Sequence, residues 1–263
     1  MTDGDLTNPF RHALAARPPL IGIWSMLNST NAVEGIAWSG FDWLLIDGEH
    51  SPVTLADAMA HMRVLAATPT LPIVRLVWND PVLLKQYLDA GATTIMLPYV
   101  QTAREAEAAV LAMRYPPRGQ RGVAAMHRAS RYGRIKGYAQ RADDSLFLIL
   151  QIETRQAMSN LDAILAVDGV DAVFFGPGDL AASMGFIGRP DHPEVTAEID
   201  AALVRVRRAG KAAGVLAPTA ELSERHIRSG FDFVSVANDC AMLFGAADAT
   251  AVRFRSIAGS IAP

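Results

Sequence analysis

The chain is 263 residues long, 51% hydrophobic, and carries a formal net charge of −3 with one cysteine. That length exceeds a small domain and suits one large α/β barrel, expected to span residues 1–263 as a single domain. The small net charge leaves no global field to hold nucleic acid or an acidic membrane surface, and the lone Cys240 excludes an intrachain disulfide and reads as a buried packing thiol.

Residues 1–19 contain Asp3, Asp5 and prolines but no apolar core segment, so no secretory signal is expected and the protein is assigned to the cytoplasm. Strand-like runs then follow at 20–24, 43–47, 73–77, 94–98, 146–152, 172–176, 214–217 and 233–236. None approaches the roughly 18 apolar residues needed to cross a bilayer. Their continuous apolar character, rather than strict alternation, fits parallel strands covered on both faces. Helix punctuation separates them: Asp80 before Pro81, the Thr102 to Glu105 capping box, and Gly40, Gly91 and Gly230 where C-terminal glycines belong. Eight strands favour a closed (β/α)8 barrel, the TIM-barrel architecture, over an open doubly wound sheet.

One interval departs from this rhythm. Residues 115–145 read as a loop excursion, rich in proline and glycine, holding Arg118, Arg121, Arg128, Arg131, Arg134, Lys136 and Arg141 without an intervening acid. A solvated surface or subunit contact is the expected role, with attraction of an anionic substrate as the alternative.

Several apolar runs end in charged groups. In a barrel the C-terminal strand ends share one mouth, which would bring His50, Arg75, Glu153 and Asp179 together. Gln151 and Glu153 lie two apart on a strand and face the same way, and a carboxylate inside a barrel is costly unless paired. Glu153 therefore reads as a metal ligand, or otherwise as a helix N-terminal charge. Asp179 follows a strand-to-helix turn and reads as the second ligand, a helix cap, or both. Two carboxylates on a Mg2+-like ion leave positions for water and substrate. The segment Gly176 to Ala181 imitates a dinucleotide fingerprint, but at the sixth strand it is better read as a helix N-terminus whose Gly178 and Asp179 amides bind the carboxylate of a small keto acid. His50 reads as a general base or a rim histidine, and Arg75 as a partner for a substrate oxygen or for a structural carboxylate. Lys85, Lys136 and Lys211 all lie away from C-terminal strand ends, which disfavours a Schiff base. The remaining histidines show no zinc-type spacing.

At Asp47-Gly48-Glu49-His50, Arg75, Gln151-Ile152-Glu153 and Gly176-Pro177-Gly178-Asp179 the sequence resembles the HpcH/HpaI family of class II pyruvate aldolases, over nearly the whole chain. The resemblance implies a barrel of the phosphoenolpyruvate/pyruvate-domain type, with Glu153 and Asp179 holding a divalent cation (Mg, Mn or Co). It implies that pyruvate chelates this ion and touches Gln151 and Gly178, and that Arg75 stabilises the enolate oxygen. His50 would move the proton, assisted by Asp89, while an aldehyde serves as the second substrate and the subunits form a hexamer. Asp89 precedes the fourth strand, at the barrel end away from the mouth, so reaching His50 requires another subunit. Gly178 stands where the family often has alanine, and residues 122–130 and 216–218 are expected at the aldehyde end. Two rivals are a CoA-ester lyase of the citrate lyase β or malyl-CoA type, and a non-catalytic 2-oxo-acid-binding protein.

Overall fold

Parallel pairing in strict sequence order closes the sheet on itself: β1 (Leu20–Ser25), β2 (Trp43–Asp47), β3 (Leu71–Arg75), β4 (Thr94–Leu97), β5 (Phe147–Ile152), β6 (Ala172–Phe175), β7 (Ala212–Leu216) and β8 (Phe233–Asn238) form one eight-stranded barrel. The computed structural model describes residues 6–16 and 19–260; Asp3 and Asp5 lie outside the described residues. The third strand begins two residues earlier than expected and ends at Arg75, because it pairs in register with β2, Asp47 opposite Arg75. Val77 falls beyond the sheet and is half exposed.

The helices are α1 (Pro9–Ala16), α2 (Thr30–Ala37), α3 (Leu55–Leu65), α4 (Pro81–Asp89), α5 (Ala103–Met113), α6 (Tyr138–Arg141), α7 (Arg155–Ser159), α8 (Leu161–Leu165), α9 (Pro177–Ser183), α10 (Pro193–Arg208), α11 (Ala220–Ser229) and α12 (Asp239–Gly259). Side-chain caps start many of them: Asp80 accepts from the amides of Val82 and Leu83, and Thr102 and Glu105 form the expected capping box.

Strand periodicity sorts the core into two layers. Outward-facing residues such as Ile23, Leu44, Ile46, Val74, Leu148 and Val173 pack against the helices. Their inward neighbours, including Trp24, Trp43, Leu45, Ile73, Ile149, Phe174 and Phe233, fill the lumen. A side chain at Gly22 would run into the Trp43 ring, so glycine there is what admits an indole to the barrel interior. Helix α1 closes the N-terminal end. Its Phe10 is fully buried and meets Phe147 and Phe233 edge to face at 5.3 and 5.4 Å. The sequence reading placed no element here, because one buried ring in an eight-residue helix is too short a pattern to stand out.

Residues 114–146 carry only short helical turns and α6, around a small cluster of Leu6, Tyr115, Ile135, Tyr138 and Ala142. The basic residues here are not uniformly solvated. Arg121 is buried and bonded to Asp89, Arg118 lies 3.2 Å from Asp143, and Arg128 donates to the Ala90 carbonyl at 3.0 Å. The excursion is thereby pinned to the C-terminal end of α4. Helix α12 is uncovered over most of its length. From Ala241 to its end every residue is exposed, Met242, Leu243, Phe244, Val252 and Phe254 among them. Cys240, on this helix, is only half buried, a correction to the packing reading, although burial and Asp239 push its thiol up in pKa.

Candidate active site at the barrel mouth

Asp47 and Arg75 end adjacent strands with the same inward parity, and they meet. Arg75 Nε donates to Asp47 Oδ1 at 2.9 Å and Nη2 to Oδ2 at 2.8 Å, a bidentate pair with both residues buried. The guanidinium lies 4.9 Å from the Trp24 ring centroid, and the Trp24 indole also donates to Asp47. Asp47 then accepts the backbone amides of Glu49 and His50 at 2.9 and 3.3 Å, folding the β2–α3 loop over the strand end. Burial pushes the Asp47 carboxyl up, but the hydrogen bonds and charge of Arg75, with these amides, outweigh it and hold it below the ordinary range.

The remaining edge of Arg75 faces the lumen. Nη1 donates to Gln151 Oε1 at 3.3 Å and lies 2.7 Å from Glu49 Oε2. Gln151 uses its other end to donate to Glu153 Oε2 at 2.9 Å, while the Tyr99 amide donates to Glu153 Oε1 at 2.7 Å. Glu153 is 3% exposed. Burial raises its pKa to about 7; the Tyr99 amide opposes this, and the charges of Asp179 and Glu49 reinforce it. Glu49 is also raised, first by burial and then, against Arg75 and His50, by Asp47 and Asp179. Asp179 is exposed in the first turn of α9, behind the Gly176-Pro177-Gly178 turn. A Cβ on Gly176 would sit 2.6 Å from Glu153 Oε2, so glycine makes the space this carboxylate occupies.

His50 stands on the rim, its side chain 60% exposed and Nε2 3.9 Å from Glu49 Oε1. Asp89 is elsewhere: it ends α4, next to the N-terminal end of β4, with Oδ1 2.6 Å from Arg121 Nη2 and 3.8 Å from His127 Nε2. Residues 122–130 follow Arg121 to that same face, where Gly122 abuts Lys85, whereas Leu216 ends β7 at the mouth. The lysines lie on α4, in the excursion and before β7. Sequence reading missed Asp47 as the partner of Arg75, although shared parity on neighbouring strands was available as a signal. It missed Tyr99 because a backbone amide leaves no mark in residue type.

Among the described residues no three of His, Cys, Asp and Glu group as a metal cage. The donor chemistry nevertheless fits an open hard-cation site: Glu153 and Asp179 repel one another, and the nearest fixed cation, Arg75, is already matched by Asp47. A measurable consequence holds for the metal-free protein. Because the folded pKa of Glu153 lies above its ordinary 4.5 at about 7, the native state binds the extra proton, and Glu153 contributes a loss of stability as pH rises through that window. The loss is on the order of 3 kcal/mol. Urea midpoints for chelated protein should fall between pH 5 and pH 8, and Glu153→Gln should flatten that decline.

The sequence profile described as HpcH/HpaI aldolase/citrate lyase matches residues 20–246, from the first residue of β1 into α12. The chain belongs to the HpcH/HpaI aldolase/citrate lyase family. A 4-hydroxy-2-oxo-heptane-1,7-dioate aldolase of Shigella sonnei (strain Ss046) is 49% identical over 259 residues, 98% of this chain and 99% of that protein. One of the same name from Salmonella dublin is 50% identical over 250 residues, 95% of each chain. The crystal structure of an HpcH/HpaI family protein from Burkholderia cenocepacia J2315 superposes with a TM-score of 0.90 at 36% identity, covering 95% of this chain and 100% of that one. In this HpcH/HpaI chain, the family barrel is the part that positions the mouth residues, while α1 lies outside the profile match.

Proposed function

We propose that this chain is a class II pyruvate aldolase that reversibly cleaves 4-hydroxy-2-oxo acids to pyruvate and an aldehyde, with 4-hydroxy-2-oxo-heptane-1,7-dioate, the compound in its relatives' name, as the leading substrate. The observation that carries this reading is the buried Glu153 carboxylate, raised to about 7 beside Asp179 at a barrel mouth whose arginine is already matched by Asp47. Glu153 and Asp179 would hold a divalent cation, Mg, Mn or Co, which when bound polarises the 2-oxo group as a Lewis acid. Gln151 and the open backbone at Gly178, with no described residue within 4 Å of a Cβ position, receive the oxo acid. His50 takes the proton from the 4-hydroxyl, the bond between carbons 3 and 4 breaks, and the aldehyde departs. Negative charge gathers on the 2-oxygen facing Arg75 Nη1, and a proton returned to carbon 3 completes the pyruvate methyl.

The same reading includes a homo-oligomer, a hexamer in which Asp89 of one copy reaches the His50 of another. What supports it is the placement of Asp89 with exposed Val123 and Met126 on a face away from this chain's own mouth, together with the uncovered apolar side chains of α12. One barrel domain over the whole chain and a cytoplasmic location belong to the proposal. Among the described residues no helix is long and apolar enough to cross a membrane.

The test is deuterium exchange at the pyruvate methyl group, with EDTA-stripped protein and a metal panel. Exchange should cease on stripping and return with Mg2+, Mn2+ or Co2+. Stripped protein that cleaves a 4-hydroxy-2-oxo acid at full rate overturns the mechanism. A strict need for an acyl-CoA would point to the ester-lyase alternative, and pyruvate binding without exchange to a binding protein.

A further inference from the structure

Trp78 and Tyr99 stack ring on ring, centroids 5.9 Å and planes 29° apart, yet each remains about half exposed. Trp78 lies in the loop after β3 and Tyr99 in the loop after β4, both at the C-terminal end of the barrel. Tyr99 has a φ of +58°, in the left-handed region that a bulky side chain enters only when its surroundings hold it there.

That conformation has a use on the other side of the backbone. The Tyr99 N–H points at Glu153 Oε1 and donates to it at 2.7 Å, while Gln151 serves the other carboxylate oxygen. The rest of the loop is fixed from the β5 side: Thr154 donates to Gln101 Oε1 at 3.0 Å, and Asn160 to the Gln101 carbonyl at 2.8 Å. The loop bearing Trp78 is fixed in turn, since Asn79 donates to the Glu105 carbonyl at 2.9 Å. Trp78 thus stands on a fixed loop, and its ring packs on Tyr99. With Gln101 held downstream, relaxation of Tyr99 toward negative φ has to be taken up by rotation of the Pro98–Tyr99 peptide, which turns the Tyr99 N–H away from the buried carboxylate.

We propose that Trp78 is a positioning residue for Glu153: its ring holds Tyr99 in the left-handed conformation that aims the Tyr99 amide at the carboxylate, and so sets the affinity of the mouth for a divalent cation. This rests on the reading of Glu153 as a metal ligand. No side-chain atom of Trp78 is required at the reacting groups.

The experiment is Mn2+ binding to the full-length protein, followed by calorimetry at pH 8, with melting curves confirming that each variant is folded. Trp78→Ala should weaken Mn2+ binding about tenfold, and Trp78→Phe, which keeps a stacking ring, should stay within about threefold of wild type. The decisive protein is the Trp78→Ala/Tyr99→Gly double variant. Glycine takes the left-handed conformation freely, so affinity should recover to within about threefold of wild type. If the rings merely packed together, removing the second would deepen the loss instead. Wild-type affinity in Trp78→Ala, alongside a clear loss in Glu153→Gln, overturns this inference alone, as does a double variant no better than the single one. Wild-type affinity in Glu153→Gln defeats the metal-ligand reading, and the inference with it.

Discussion

Gly176→Ala is expected to inactivate the enzyme almost as thoroughly as Glu153→Ala, with turnover falling by at least roughly 100-fold. The added carbon would lie 2.6 Å from Glu153 Oε2, 3.2 Å from Glu153 Cβ and 3.5 Å from Gln151 Nε2. Little there can give way. Glu153 continues from β5, its two oxygens are tied to Tyr99 and Gln151, and Gln151 is tied to Arg75. Either the carboxylate shifts, or the turn leading into α9 shifts and carries Asp179 with it. Both displace one of the two groups assigned to the cation, and a misplacement of about 1 Å is enough for a loss of that size. Overpacking should also lower stability by about 1–3 kcal/mol, so rates must be measured well below the melting temperature. Gly178→Ala is the comparison, because none of the described residues lies within 4 Å of its Cβ position, and its loss should be no more than a few-fold. Retention of over a tenth of wild-type turnover by Gly176→Ala would show that this close approach does not govern the site.

How far such a site can be read from sequence depends on which signals are local. The eight apolar runs were legible because a strand buried on both faces leaves a contiguous mark, and their sequential parallel order follows from the helical punctuation between them. The charged residues at their ends were legible for the same reason: Arg75 and Glu153 stand out against apolar neighbours. Partnership was harder. Whether Arg75 faced a substrate or a structural carboxylate depended on the β2–β3 register, which places Asp47 beside it, and on the short reach of Gln151 to its remaining edge. The basic excursion misled because charge along the sequence says nothing of burial. Arg121, counted there among solvated arginines, has a fully buried side chain under the Tyr115 ring. Helix α1 escaped notice because its contribution is a single ring, and the Tyr99 amide because the left-handed backbone that aims it is a tertiary property. Each omission concerns a contact between segments distant in sequence, and only the Tyr99 amide touches a mouth residue.

Asp89→Ala should destabilise the protein by about 3–5 kcal/mol, for a reason separate from any role in proton transfer. Arg121 has a side chain 0% exposed, its charge is met by Asp89 Oδ1 at 2.6 Å, and among the described residues its Nε and Nη1 have no hydrogen-bond acceptor. Removing the carboxylate strands a buried guanidinium, whereas removing both charges does not. An Asp89→Leu/Arg121→Met double variant should therefore recover most of the lost stability in urea titrations while still lacking the carboxylate. That stable variant makes the shared-site proposal testable. If Asp89 serves the His50 of a neighbouring copy, then His50→Ala and Asp89→Leu/Arg121→Met should each be nearly inactive alone. After dissociation and reassembly as a mixture they should regain activity, because some mouths then combine an intact His50 with an intact Asp89 from the adjacent subunit. A double variant no more stable than Asp89→Ala would refute the buried-pair argument. An inactive mixture whose hybrid assembly is verified by mass would refute the pairing across subunits, and a fully active double variant would remove Asp89 from the reaction altogether.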